Sequence, residues 1–189
     1  LPQDCKSSDL INGTAKELGN LLNGQFEYKV RKTSSGVRIA LERQCSILRA
    51  DRLSPMSIEK VYGLEQDSPV FNFVYQLSNL SLMDCHFKFA TQLFFSFPGL
   101  CSGDVKIRHR SQTFEKPGVE LFQFTSATKW VIEDRLGGVR LYFQTQKPFD
   151  IWCIPASSPD SPCEPSMGLA IVLSCNVDLE PSSRWKNIG

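Results

Sequence analysis

Apolar and polar residues alternate along most of this chain. A period of two is the mark of a strand with one buried face. The pattern is clearest between Thr128 and Pro155. Trp130 and Ile132 fall on one side there, Lys129 and Glu133 on the other. Gly137-Gly138 predicts a turn, because glycine enters positive φ at little steric cost. Beyond it Val139, Leu141 and Phe143 alternate with Arg140, Tyr142 and Gln144. Lys147-Pro148 predicts a second break, so the stretch reads as three short strands, the last from Phe149 to Ile154.

The same period recurs upstream. Strands are expected over 26–32, 37–41, 44–49, 58–64, 70–77, 85–97 and 114–125, with breaks at Ser34-Ser35-Gly36, Ser54-Pro55, Pro69, Pro98-Gly99 and Pro117-Gly118. Downstream, Leu169 to Cys175 is a continuous apolar run, as in a strand covered on both faces. The tail from Ser182 to Gly189 predicts a last edge strand. One segment, 7–24, has helical spacing, with Leu10, Thr14, Leu18 and Leu22 on one side. Gly13 and Gly19 weaken it, and Asn23-Gly24 would close it. Residues 155–168 hold Pro155, Pro159, Pro162 and Pro165 and read as a loop, since proline cannot donate to a ladder. Strands about every ten residues, with turn signals between them, predict an all-β sandwich or barrel. No helix alternates with the strands, which argues against a parallel α/β sheet.

Composition narrows the class. At 189 residues the chain, 1–189, is expected to be a single domain with a core of its own. Its net charge of +1 argues against a nucleic-acid surface, which usually carries a strong basic excess. The apolar runs are shorter than the roughly 18 residues of a membrane span, so no membrane role is expected. The start, from Leu1, lacks a basic head and apolar run, and the chain reads as excised from a larger polypeptide. Its seven cysteines are widely and irregularly spaced, unlike zinc ligands. Their odd number disfavours a fully paired secreted framework. Cys85, Cys153 and Cys175 sit in apolar strand patterns, where a thiol acts as a small hydrophobe. A reducing, cytoplasmic setting is expected, with no metal or cofactor. On that reading the sequons at Asn12 and Asn79 carry no glycan.

Candidate chemistry is sparse. There is no Gly-x-Ser-x-Gly elbow and no glycine-rich phosphate loop. Glu133-Asp134 is the most tempting carboxylate pair, but adjacent strand residues point to opposite faces. The pair therefore reads as hairpin surface. His86 is expected to be structural or solvent-facing. His109, between Arg108 and Arg110, is expected on a solvated loop. Aromatics are the softer signal: Trp130, Tyr142, Trp152 and Trp185 are candidates for carbohydrate or interdomain contact, with burial in the core as the competing reading.

Four stretches taken in order resemble a known family. Glu17-Leu18-Gly19-Asn20 with Phe26 to Val30 is similar to its "ELGDF…PY…V" entry. Met56 to Leu64 is similar to its "PLRVEKRYRL" strand, and Val70 to Asn79 to its "L.V.Y.L.N" strand. Trp130, Asp134, Leu136-Gly137 and Trp152 follow its "W…D…LG…W.FP" run. The family is the C-terminal β-domain of glycoside hydrolase family 57, the 4-alpha-glucanotransferase and alpha-amylase group. The resemblance implies an antiparallel supersandwich like galactose mutarotase. It also implies a partner, an N-terminal catalytic (β/α) barrel of the same polypeptide, and alpha-glucan as a possible ligand. The family's catalytic carboxylates lie in that barrel, so none carries over to this chain. After Trp152 the chain departs from the family's Ser/Glu-rich segment ending in Tyr-Gln-Gly. The expectation is a non-catalytic domain of an alpha-glucan-processing enzyme. Two alternatives stand beside it. One is a stand-alone carbohydrate-binding module. The other is an epimerase using His86 or His109 with a carboxylate such as Glu120 as acid and base.

Overall fold

Long strands with short turns dominate the computed structural model, which describes residues 1–22, 24–49, 52–115, 117, 121–156 and 168–189. In chain order the elements are α1 (Ser7–Ile11), β1 (Glu27–Thr33), β2 (Gly36–Arg49), β3 (Arg52–Glu65), β4 (Phe71–Asn79), β5 (Cys85–Phe95), β6 (Val105–His109), β7 (Gln112–Glu115), β8 (Phe122–Asp134), β9 (Val139–Ala156), β10 (Gly168–Leu179) and β11 (Arg184–Ile188). They form two sheets, ordered β1-β2-β3-β4-β11 and β5-β10-β9-β8-β6-β7. Every pairing with a described register is antiparallel. The expected all-β class is what the chain adopts. It also divides into two compact units: Leu1–Cys5, Ala15–Lys88 and Asn176–Gly189 make the first, Lys6–Thr14 and Phe89–Cys175 the second.

In the first unit one sheet face is apolar. Cys45 and Ile47 of β2, Met56 and Ile58 of β3, and Phe73, Tyr75 and Leu77 of β4 are all buried. The residues between them along each strand turn to the other face and, apart from the half-buried Val74, are polar or exposed, as period-2 alternation requires. The β1–β2 hairpin depends on Gly36, at φ 153°. A Cβ there would sit 2.1 Å from the Leu64 carbonyl oxygen. The tail forms the edge strand β11 on β4, with Trp185 opposite Leu77.

Three local expectations change. The expected strands 37–41 and 44–49 are one strand, β2, paired along its whole length with β3. Pro55 does not break the chain but lies inside β3, opposite Ser46. The N–H and C=O of a residue in an antiparallel ladder point to the same edge. The Pro55 carbonyl accepts from Leu80 N at 3.0 Å, just past the end of β4. Its missing N–H thus faces an edge where no ladder continues.

The helical segment 7–24 is helical only over Ser7–Ile11, where Asp9 accepts from the Lys6 N–H at 2.7 Å. Gly13, at φ 66°, ends it. Beyond, Leu18 O accepts from Leu48 N, Gly19 bridges Ile47, and Asn20 Oδ1 accepts from Ser46 N at 3.1 Å. Pairing with β2 outweighs a helical propensity that two glycines had already weakened. Gly19 permits that approach, since a Cβ would lie 2.5 Å from the Ser46 carbonyl oxygen.

In the second unit β10 is an interior strand between β5 and β9, and residues 168–174 are all buried. This fits the apolar run read from the sequence. Pro148 does not break β9. Ala127 pairs with Phe149 and Lys129 with Gln144. Residues 145–148 therefore face only Thr128, a bulge that needs no donor from Pro148. The three expected strands of 128–155 are two. Of the predicted loop 155–168, Pro155 and Ala156 end β9 and Gly168 begins β10. The rest, 157–167, lies outside the described residues.

Candidate functional site

The four aromatic candidates occupy different places. Trp130, on β8, is 2% exposed. Its indole stacks on Phe143 at 4.9 Å and 5°, and meets Phe124 edge-on at 6.4 Å. Trp152, on β9, is also buried; it pairs with Gln123 and Val172 across its ladders. Ser7 of α1 donates to Gln123 Oε1 at 2.9 Å, which ties the helix to that strand. Tyr142 is 71% exposed, and its hydroxyl accepts from Arg140 at 3.3 Å. Trp130 pairs with Phe143 and Val131 with Tyr142, so Trp130 and Tyr142 face opposite sides of one sheet. Trp185 is half-buried on β11, in the first unit. Of the four, Tyr142 alone presents a largely exposed ring.

Two sequence readings are corrected here. His109 is not on a solvated loop: it is buried, stacks on Phe124 at 4.7 Å, and its Nδ1 lies 3.1 Å from the Lys129 carbonyl oxygen. Arg110, at φ 54°, makes the turn after it. Asp134 is not hairpin surface but buried, accepting from Gly137 N at 3.0 Å and Gly99 N at 3.3 Å. It acts as a clamp between two turns. Glu133 projects the other way and binds two guanidiniums. Arg140 donates to its Oε1, and Arg108 Nη2 lies 2.9 Å from Oε2. The Arg140 hydrogen bond, more than the surrounding positive charge, holds this carboxyl below the ordinary range. His86 is exposed, with its Nδ1 2.8 Å from Asp178. Glu120 lies outside the described residues.

A second site was not anticipated. An open groove of about 310 Å³ runs over the outer face of β1, β2 and β3. Register builds it in rows. Glu27, Glu42 and Glu59 lie side by side across three strands; Lys29, Ala40 and Val61 make the next row; Arg31 and Arg38 close it. The groove thus offers acceptors at one end, donors at the other and an apolar floor between. The sequence held half of the signal, in the same-parity spacing of Glu27, Lys29 and Arg31 and of Arg38, Ala40 and Glu42. Which residues stand abreast depends on pairing register alone. Among the described residues no group of His, Cys, Asp and Glu is placed to hold a metal ion, and no helix is long and apolar enough to cross a membrane.

The architecture is the antiparallel β-sandwich of galactose mutarotase-like proteins. A galactose mutarotase-like protein from Clostridium acetobutylicum superposes with a TM-score of 0.61 at 11% identity, over 88% of this chain and 65% of that one. A protein from Synechocystis sp. PCC 6803 does so at 0.56 and 12%, over 86% and 64%. The 4-alpha-glucanotransferase of Thermococcus litoralis superposes at 0.65 and 15%, over 99% of this chain. The chain spans only 25% of that enzyme's length. No curated protein matches the sequence. The profile of the alpha-amylase/4-alpha-glucanotransferase C-terminal family matches residues 1–158, and the chain belongs to that family.

Proposed function

We propose that this chain is the non-catalytic C-terminal domain of an alpha-glucan-processing enzyme, acting as one domain that supports the catalytic barrel of the same polypeptide. The observation that carries this reading is the family match over residues 1–158. The order of the four motif stretches, from Glu17 to Trp152, agrees with it. A reducing, cytoplasmic setting accords with the free thiols of Cys45, Cys85, Cys153 and Cys175.

Contact with glucan is the finer part of the proposal. Tyr142 offers an exposed ring, and the groove of β1–β3 offers paired donors and acceptors for sugar hydroxyls. Intact mass of the polypeptide made from the complete coding sequence tests the main reading; a mass no greater than this chain's would refute it. Glucan contact is tested by calorimetric titration with maltooligosaccharides and glucose. Saturable binding, weakened by Tyr142→Ala or by Glu42→Gln, supports it. A flat titration at millimolar sugar restricts the domain to a structural role.

A further inference from the structure

The inner face of the first sheet does not stop being apolar where it stops being buried. Tyr75, fully buried, meets Tyr62 edge-on at 6.2 Å. Tyr62 in turn stacks on Phe71 at 5.6 Å and 17°. Phe71 is 48% exposed. From there the same face runs on through Leu64 of β3, Ile39 of β2, and Val30 and Tyr28 of β1, all exposed. Register places them together: Leu64 is opposite Phe71, Ile39 opposite Tyr62 and Val30, and Tyr28 opposite Leu41. An apolar patch this continuous is unusual on a monomer's surface and marks an interaction site.

The charged residues that β1 to β4 contribute to this face have one sign. Lys32, Arg43 and Lys60 share its parity, while every carboxylate of β1 to β4 (Glu27, Glu42, Glu59 and Glu65) falls on the opposite face. Lys60 sits 5.0 Å above the Phe26 ring and Arg43 donates to Leu21 O at 2.9 Å, so both cations are held in place. A second copy docked through the same face would set cations against cations. A partner element with an apolar stripe and a carboxylate rim is complementary. The related glucanotransferase has most of its chain outside the quarter that this chain covers.

We infer that the exposed apolar face of β1–β4 is where the remainder of the parent polypeptide docks, through an apolar element edged with Asp or Glu. This rests on the reading of the preceding subsection and names the surface it uses. The test is hydroxyl-radical footprinting of Tyr28 and Phe71, in this chain alone and in the polypeptide made from the complete coding sequence. Docking is expected to slow labelling in the complete polypeptide about tenfold, as a docked-to-open ratio of about ten to one gives. Val30→Lys/Leu64→Lys, at exposed positions, is expected to restore the faster rate. Lys32→Glu/Lys60→Glu is expected to restore part of it. Equal labelling in the two wild-type proteins overturns the inference while leaving the family reading intact, provided the complete polypeptide is the heavier. A mass equal to this chain's refutes that reading first. Protection that grows with concentration and comes with doubled sedimenting mass assigns the face to a second copy and also overturns the inference. Stronger protection in Lys32→Glu/Lys60→Glu overturns the acidic rim.

Discussion

Asn79 ends β4 and holds three segments of the first unit together. Its side chain is 1% exposed. The amide nitrogen donates to the carbonyls of Met83 at 2.7 Å, Glu180 at 3.0 Å and Leu179 at 3.2 Å. Two protons thus serve three acceptors. The amide oxygen accepts from Ser81 N at 3.0 Å and Ser81 Oγ at 2.7 Å. Asn79→Asp keeps the shape and the acceptor but turns the donor into a second anionic oxygen facing three carbonyls. Losing these three hydrogen bonds at about 1 kcal/mol each sets the expected destabilisation at about 3 kcal/mol. The buried Leu179 carbonyl, left without its donor, pushes the figure up rather than down. For a chain of this size that is a fall in Tm of about 6–12 °C. Guanidinium unfolding followed by circular dichroism measures it, as a lower midpoint at unchanged slope. Hydrogen exchange resolves whether the loss falls on the first unit, as the geometry requires. An Asn79→Asp variant within about 1 kcal/mol of wild type would refute the argument. The same bonding leaves no room for a glycan on this sequon in the folded chain.

Two further outcomes follow from ionisation. Glu133 is held below the ordinary carboxyl range, chiefly by the Arg140 hydrogen bond. Its stabilising contribution is therefore present above the unfolded value near 4.5 and is lost as pH falls through the lower folded value. The stability gap between wild type and Glu133→Gln, followed by guanidinium midpoint, is expected to close on acidification below that value; a gap that widens would contradict the pairing. Burial pushes the Cys153 and Cys175 thiols up to about 12. Both are expected to resist a thiol reagent at pH 8 in the native state and to react once unfolded, where thiols return to about 8.5. Native-state labelling of Cys153 at the unfolded rate, read by peptide mapping, would refute this.

How much was legible in the chain varies with the range of the interaction. Strand identity is local, and the alternation of Phe71, Phe73, Tyr75 and Leu77 marks the buried side of β4 without reference to any other strand. The apolar run 169–175 likewise announces an interior strand. Proline misled twice, at Pro55 and Pro148. A proline breaks a ladder only where a neighbour awaits its proton, and the neighbour is not written beside it. The short helix was overestimated because Leu18, Gly19 and Asn20 pair with β2, far along the chain, more favourably than they extend a helix.

The functional reading divides in the same way. By itself the sequence determined the all-β class, the family, and which residues share a face, because each rests on spacing along one strand. Tertiary structure decided which faces are covered and which strands stand abreast. It buried Trp130, Trp152, His109 and Asp134, left Tyr142 in the open, aligned Glu27, Glu42 and Glu59, and exposed the aromatic row ending at Phe71. The physical reason is that a side chain's burial and company are set by register with strands tens of residues away. Slipping a strand by one residue exchanges its two faces while leaving the local pattern unchanged.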